Sequence, residues 1–214
     1  MMRIATGLAA LAFAFSGVVV AQQDADQSGP FYLHIKGSGS DLDGYVSACH
    51  AGAAIEGLCY SPGGKPTADK AASYEYYFNT TGSPQLDNGS PAGILFWRLP
   101  VQINPTTPFA EQPMTFQYSP NSNVAAPLFG FQDGTLVGFD KDDGNKLFTY
   151  AYVDSSTFQP GVQPTTGSYD YKSWFVCWQY FSGYYYQSVG FATTLPPNNP
   201  TCQAVEIVQE FVNY

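Results

Sequence analysis

The sequence predicts an all-β protein with antiparallel strands, and three observations support this. Aromatic residues that favour strands are abundant, with 16 Tyr, 16 Phe and 3 Trp. Only 12% of the residues are charged, which is too few for a coiled coil or for long exposed helices. The 21 Gly and 16 Pro separate short apolar segments. We therefore expect a two-sheet β-sandwich of roughly ten strands, with a closed β-barrel as the alternative.

The N-terminal segment has the features of a secretory signal peptide. Arg3 is its single charge, the stretch from Leu8 to Val20 has no ionisable side chain, and small residues precede a cleavage position after Ala21. The apolar stretch is shorter than the roughly 20 residues of a membrane span. We expect residues 1–21 to be removed, residues 22–30 to form a flexible polar leader, and residues 31–214 to fold as one sandwich domain. The expected product is secreted and makes no membrane contact.

The predicted strands follow one another with short turns between them. Phe31, Leu33 and Ile35 alternate with polar residues, which indicates a half-buried strand. The segment from Tyr45 to Tyr60 contains glycines and has no helix cap, so we predict a strand pair there. The remaining predicted strands are 73–78, 93–103, 114–118, 128–132, 136–140, 147–153, 171–180, 184–194 and 204–212.

Turn residues mark two hairpins. The first covers 136–153 and turns at Asp142-Asp143-Gly144-Asn145, where the Asp-Gly step supplies the positive φ that tight hairpins require. The second covers 174–191 and turns at Ser182-Gly183. The first turn has the carboxylate density of a calcium loop but lacks the spacing of an EF-hand, so we interpret it as a solvated turn.

Four cysteines lie in the predicted mature chain, and an even number in an exported protein indicates two disulfides. Three pairings are possible. We favour Cys49 with Cys59 and Cys177 with Cys202, because each pair closes a local loop. The cysteine spacing and the 2 histidines match no zinc site. We predict no metal site and no cofactor.

Two N-glycosylation sequons occur in a segment rich in turn residues. They begin at Asn79 (Asn79-Thr80-Thr81) and at Asn88 (Asn88-Gly89-Ser90). Pro91 follows the second sequon directly and disfavours its use.

Charge and catalytic motifs limit the possible functions. Asp and Glu number 17 against 8 Lys and Arg, which argues against a nucleic-acid partner. His34 with Asp41 or Asp43 is a conceivable acid–base pair, but no nucleophile elbow, zinc helix or phosphate loop accompanies it. A glycosidase needs two carboxylates, and the sequence does not single out a pair. The available glutamates are Glu56, Glu75, Glu111, Glu206 and Glu210.

The densest group of aromatic residues lies between Ser173 and Tyr186. In an extended strand, Trp174, Trp178 and Tyr180 share one face and Cys177 lies on the other. Either this strand is buried on both faces, or one face is an exposed platform on which sugar rings stack. We favour burial, because exposed patches of this size are rare in monomers. If the platform is exposed, the expected ligand-binding residues are Trp174, Trp178, Tyr184 and Tyr186.

Both ends of the mature chain contain short motifs of a recognisable kind. They are Phe31-Tyr32-Leu33, Leu42-Asp43-Gly44-Tyr45, His50-Ala51-Gly52-Ala53, Trp174-Phe175-Val176-Cys177, Gly183-Tyr184, Pro197-Asn198-Asn199-Pro200-Thr201-Cys202 and Val205-Glu206-Ile207-Val208. Together they resemble small secreted proteins of filamentous ascomycete fungi. The resemblance implies an extracellular or cell-wall setting, supports Cys177 and Cys202 as partners, and transfers no catalytic residue.

The sequence therefore predicts a secreted, monomeric, non-enzymatic protein that binds a glycan, a cell-wall polysaccharide or a host surface. One alternative is a secreted carboxylate-based glycoside hydrolase. The other is a barrel that holds a small apolar molecule and assists secondary metabolism, which requires an internal cavity of several hundred Å³.

Overall fold

The computed structural model describes residues 26–104 and 107–212, so the predicted signal peptide lies outside the described residues. Strands dominate this part of the chain, and short 3₁₀ segments occur at Ala68–Ser73 and Ser155–Thr157. The strands are β1 (Gln27–Gly37), β2 (Asp43–Gly52), β3 (Ile55–Pro62), β4 (Tyr76–Asn79), β5 (Ala92–Asn104), β6 (Thr107–Gln117), β7 (Val124–Phe129), β8 (Leu136–Asp140), β9 (Lys146–Val153), β10 (Thr166–Tyr171), β11 (Trp174–Phe181), β12 (Tyr184–Ala192) and β13 (Gln203–Phe211).

All pairings between these strands are antiparallel, which confirms the predicted all-β class. One path of hydrogen-bonded neighbours runs β10-β9-β13-β11-β12-β3-β2-β1-β4-β5-β6-β7. Further pairings of β1 with β13 and of β7 with β12 and β3 make the path return on itself, and β8 connects β5 to β9. Thirteen described strands thus form one continuous sheet, and it has more strands than the sequence predicted.

The main hydrophobic core receives side chains from every described strand except β10. In β1, Phe31, Leu33 and Ile35 are all fully buried, as the alternating pattern predicts. The largest fully buried side chain is that of Trp174 in β11. Its ring packs on Phe116 and Phe191, with centroid distances of 6.0 and 5.1 Å.

Several local predictions are confirmed and one boundary differs. The segment from Tyr45 to Tyr60 lies in β2 and β3, which pair as a hairpin. Asn145 has a φ of 59° and Ser182 a φ of 48°, so both predicted hairpin turns use the left-handed region. Strand β1 begins at Gln27, where it pairs with Asn79, so residues 27–30 belong to a strand rather than to a leader.

Both favoured disulfides are present. Cys49 and Cys59 join β2 to β3 with a Cα separation of 5.8 Å, and Cys177 and Cys202 join β11 to the start of β13 with a Cα separation of 4.1 Å. The second bridge therefore fixes the loop before β13 against the middle of β11.

Candidate functional site

The structure does not bring the four predicted ligand-binding residues together. Trp174 is 2% exposed, and its indole Nε1 donates a hydrogen bond of 2.8 Å to the carbonyl of Leu147. The prediction that places Trp174 on a ligand platform is therefore wrong. The reason is that the rings of Phe116 and Phe191 pack on the indole at this end of β11.

Tyr184 and Tyr186 lie on the opposite face of the hairpin from Trp178. Their rings stack on each other at 5.9 Å, and the edge of Tyr184 meets His50 at 5.1 Å. They line a small cleft together with Cys49 of the first disulfide. Both tyrosines are half-buried, so they do not extend a platform at Trp178.

Trp178 belongs to a different aromatic group at the tip of the β11–β12 hairpin. Trp178, Tyr180 and Tyr185 are 43%, 73% and 58% exposed, and we call these three residues the aromatic platform. Tyr180 lies directly opposite Tyr185 in the strand register. The rings of Trp178 and Tyr185 are 5.1 Å apart. Sequence reasoning did not select Tyr185, although a two-residue turn at Ser182-Gly183 places it opposite Tyr180.

Beside the platform lies a groove of about 220 Å³, which we call the platform groove. One wall is the end of β11, and the other is the segment that joins β6 to β7. No carboxylate, imidazole, ammonium or guanidinium group is among the described residues that line it. The lining residues that carry polar side chains are Gln117, Tyr118, Ser119, Asn121, Ser122, Trp178, Gln179, Tyr180 and Asn199.

The backbone of Trp178 is held on both sides by the loop before β13. Its N–H donates to Thr201 Oγ1 at 2.9 Å, and its carbonyl accepts from Asn199 Nδ2 at 2.9 Å. Asn199 Oδ1 in turn accepts from the N–H and the hydroxyl of Thr201 at 3.0 and 2.8 Å. Because Cys202 follows directly and is bridged to Cys177, this arrangement fixes the backbone of Trp178.

Asparagine side chains tie the segment that joins β6 to β7 to the loop before β13, which holds Trp178. Asn123 Oδ1 accepts from the N–H of Asn198 at 2.7 Å, and Asn123 Nδ2 donates to the carbonyl of Pro196 at 2.9 Å. Asn198 Nδ2 donates to the carbonyl of Asn121 at 3.0 Å. These bonds connect the loop before β13 to the segment that joins β6 to β7, so the shape of the groove is preorganised.

The backbone of Tyr180 adds hydrogen-bonding capacity to the groove. The N–H and carbonyl groups of alternate strand residues point to the same side, and those of Trp178 point away from β12 towards Asn199 and Thr201. Tyr180 repeats this direction, and within the described residues its N–H and carbonyl have no identified partner on that side. One donor and one acceptor therefore face the groove.

His34 lies elsewhere, between two carboxylates. Its Nδ1 is 2.6 Å from Glu210 Oε1 and its Nε2 is 2.7 Å from Asp43 Oδ1, so Asp43 rather than Asp41 is the partner that the sequence suggested. Tyr45 stacks on the imidazole at 4.7 Å. Burial and then the charge of Glu210 raise the pKa of Tyr45 to about 12. Because carboxylates engage both ring nitrogens, neither is free to take a proton from a substrate.

The acidic turn between β8 and β9 is neutralised by lysines. Lys172 Nζ lies 2.7 Å from Asp140 Oδ2, 3.0 Å from Asp143 Oδ2 and 3.3 Å from Asp170 Oδ2. The hydrogen bond from Lys172 lowers the pKa of Asp140. No cluster of three or more His, Cys, Asp or Glu side chains suited to a metal ion occurs in residues 26–104 and 107–212.

The two sequons differ in their surroundings. Asn79 Oδ1 accepts from the N–H of Thr81 at 3.0 Å. Asn88 Nδ2 donates to Asp140 Oδ1 at 2.8 Å, and Ser90 of the same sequon is fully buried. Glycosylation at Asn79 and at Asn88 stays a prediction.

Comparisons with other proteins give a family and no further relative. In the described part of the chain, no helix is long and apolar enough to cross a membrane. No curated protein and no solved structure matches the chain. One family matches residues 28–211, from β1 to the end of β13. The chain therefore belongs to the family described as Domain of unknown function (DUF7907).

Proposed function

We propose that this protein is a secreted, non-enzymatic carbohydrate-binding protein whose platform groove holds a neutral glycan of the cell wall. The observation that carries the proposal is the exposed, preorganised aromatic platform of Trp178, Tyr180 and Tyr185 beside an uncharged groove with amide and hydroxyl groups.

The chemistry of this surface matches that of a sugar ring. A pyranose has an apolar face of C–H groups and an edge of hydroxyl groups. Aromatic rings provide a flat apolar surface for the face. The side chains of Asn121 and Gln117, with the backbone N–H and carbonyl of Tyr180, provide donors and acceptors for the edge. A few such polar groups in an otherwise apolar site determine orientation and specificity.

Charge distinguishes a neutral glycan from other ligands that stack on aromatic rings. Single-stranded nucleic acid also stacks on exposed aromatic side chains, but its phosphates require a positively charged groove. The groove has no cationic lining residue among those described, and the chain has a formal net charge of −9. A neutral polysaccharide has no phosphates and therefore does not require a positively charged groove.

The lining also favours binding over catalysis. General acid–base chemistry and glycoside hydrolysis need carboxylates or an imidazole within reach of the substrate. None lines the groove in the described residues, and His34 is held between Asp43 and Glu210.

An extracellular setting agrees with the covalent structure. Two disulfides and no free cysteine among the described residues are typical of proteins that fold in an oxidising compartment. The predicted signal peptide and the resemblance to secreted fungal proteins support the same setting.

The first test is co-sedimentation of the disulfide-intact protein with insoluble chitin, β-glucan and cellulose. We expect the wild type to bind at least one of them and the Trp178→Ala variant to bind it about tenfold more weakly, because a stacking surface is lost. Tyr152→Ala is the control, since Tyr152 is an exposed aromatic residue on β9, away from the platform groove.

Thermal unfolding of the same three proteins separates binding from folding. We expect both variants to unfold within a few degrees of the wild type, because both side chains are exposed. Absence of wild-type binding to all three polysaccharides, or equal loss in both variants, contradicts the proposal.

A further inference from the structure

A second groove lies next to the platform groove. It has a volume of about 270 Å³ and is bounded by the β2–β3 turn at Ala53-Ala54 and by Phe131 in the segment that joins β7 to β8. Thr115, Leu128 and Phe181 also line it. We call it the Phe131 groove.

The two grooves are adjacent and share two lining residues. Gln117 and Phe181 line both of them. Along β6, Thr115 lies in the Phe131 groove and Gln117 at the shared boundary, and two strand residues span about 7 Å. Gln117 and Phe181 therefore form the boundary between the two grooves.

Both walls of the Phe131 groove are held in place. On one side, the fully buried Gln112 donates through Nε2 to the carbonyl of Ala54 at 2.8 Å. On the other side, the segment containing Phe131 is fixed to β6 at both ends, through Gly130 N–H to Pro113 O at 3.3 Å and Thr135 N–H to Met114 O at 2.8 Å. Phe131 nonetheless stays 68% exposed, so a fixed wall presents its ring to solvent.

The lining indicates the same kind of occupant as the platform groove. No ionisable side chain occurs among the described residues of the Phe131 groove, and Gln117, Thr115 and Gln132 contribute neutral polar groups beside the aromatic rings. The shared boundary residues and the uncharged lining of both grooves point to one uncharged ligand that contacts both.

We infer that the ligand is a linear neutral polysaccharide and that the Phe131 groove is a second subsite for it, which rests on the proposed function of the platform groove. In this arrangement Trp178 binds the first sugar units and Phe131 stacks on units further along the same chain. Affinity therefore depends on the length of the oligosaccharide.

The test is calorimetric titration of the full disulfide-intact protein with soluble oligosaccharides, from disaccharide to hexasaccharide, of the β-glucan and chitin series. We expect wild-type affinity to rise with chain length. Phe131→Ala is expected to bind the hexasaccharide about tenfold more weakly while it binds the disaccharide as the wild type does. Phe158→Ala, another exposed aromatic residue, is the control and is expected to change neither affinity.

The outcomes separate the two proposals. If Phe131→Ala binds the hexasaccharide as tightly as the wild type does, the second subsite is disproved and glycan binding at Trp178 still stands. If Phe131→Ala instead alters self-association in sedimentation velocity, the groove is a protein contact and the inference is overturned. If the wild type binds no oligosaccharide and no polysaccharide, both proposals fall.

Discussion

The base and the tip of the β11–β12 hairpin have similar sequences and opposite environments. Trp174 and Trp178 lie on the same face of β11 only four residues apart along the chain. Trp174 is 2% exposed and Trp178 is 43% exposed. Val189, opposite Val176 in the register, is buried in the core, whereas Tyr185, opposite Tyr180, lies in solvent.

The neighbours of β11 account for this difference. At the base, β13 pairs with β11 at Phe175 and Val176, and Phe116 packs on the ring of Trp174. Beyond Val176, the described backbone of β11 pairs with β12 alone, and side-chain bonds from Asn199 and Thr201 replace a neighbouring strand at Trp178. A high proportion of aromatic residues predicts a strand. The segments that pack against the strand determine whether its aromatic side chains are buried or exposed.

Replacing the indole at the base is expected to have the largest effect on stability. Trp174→Ala removes a fully buried ring and a hydrogen bond to Leu147, which should lower the free energy of unfolding by about 3–5 kcal/mol. Trp178→Ala should lower it by less than about 1 kcal/mol. Urea denaturation of both variants measures the contrast. If both variants lose the same free energy of unfolding, the difference in burial between base and tip is contradicted.

Removal of the disulfide between base and tip is expected to have the next largest effect on the free energy of unfolding. Cys202→Ala removes the bridge to Cys177 and should lower the free energy of unfolding by about 2–5 kcal/mol. It should also weaken polysaccharide binding, because Thr201 and Asn199 then lose their anchor next to Trp178. The measurements are urea denaturation and co-sedimentation.

Cys49→Ala is the control for the bridge, since it opens the other disulfide and leaves the loop at Trp178 intact. The sequence separations are 25 residues for Cys177–Cys202 and 10 for Cys49–Cys59. Loop entropy alone makes the longer bridge more stabilising by about 0.8 kcal/mol. A Cys49→Ala variant that loses more binding than Cys202→Ala contradicts this role.

Local patterns predicted strands, turns and disulfides better than they predicted which aromatic side chains are exposed. Alternation in β1, the turns at Gly144 and Gly183, and both disulfides depend on neighbouring residues, and the structure confirms them. The pairing of β1 with β13 joins segments at opposite ends of the chain, and no local pattern carries that information. Phe116 of β6 covers the face of β11 at Trp174, and because β6 is distant in the sequence, no local pattern separates Trp174 from Trp178.

Loss of a charge cluster beside the base of the hairpin is expected to have an intermediate effect on the free energy of unfolding. Lys172→Met leaves the buried Asp140 carboxylate without its ammonium partner at 2.7 Å. At neutral pH this should lower the free energy of unfolding by about 1.5–3 kcal/mol. Lys141→Met is the control, because Lys141 is exposed on the same turn.

The pH dependence of the Lys172 effect follows from the direction of the shifts. The hydrogen bond from Lys172 lowers the pKa of Asp140 in the folded protein, so its stabilisation is present above the ordinary aspartate pKa of about 3.9 and is lost as the pH falls further. Burial lowers the pKa of Lys172, but hydrogen bonds to Asp140, Asp143 and Asp170 outweigh burial and raise it overall. That stabilisation is present below the ordinary lysine pKa of about 10.4. The stability difference between wild type and Lys172→Met should therefore shrink below about pH 4 and above about pH 10; a constant difference contradicts the ion pairing.

Substitutions in the hairpin turn itself are expected to change the free energy of unfolding least. Ser182 has a φ of 48° and Gly183 a φ of 95°, a conformation that asparagine tolerates better than serine at the first position. Ser182→Asn should raise the free energy of unfolding by about 0.5 kcal/mol, whereas Gly183→Ala should lower it by about 1 kcal/mol. Polysaccharide affinity should stay within twofold of wild type in Ser182→Asn, because Asn199 and Thr201 already fix Trp178 from the other side. A marked gain in affinity would instead mean that the tip, unlike the base, is ordered only when ligand binds, and that the platform is not preorganised.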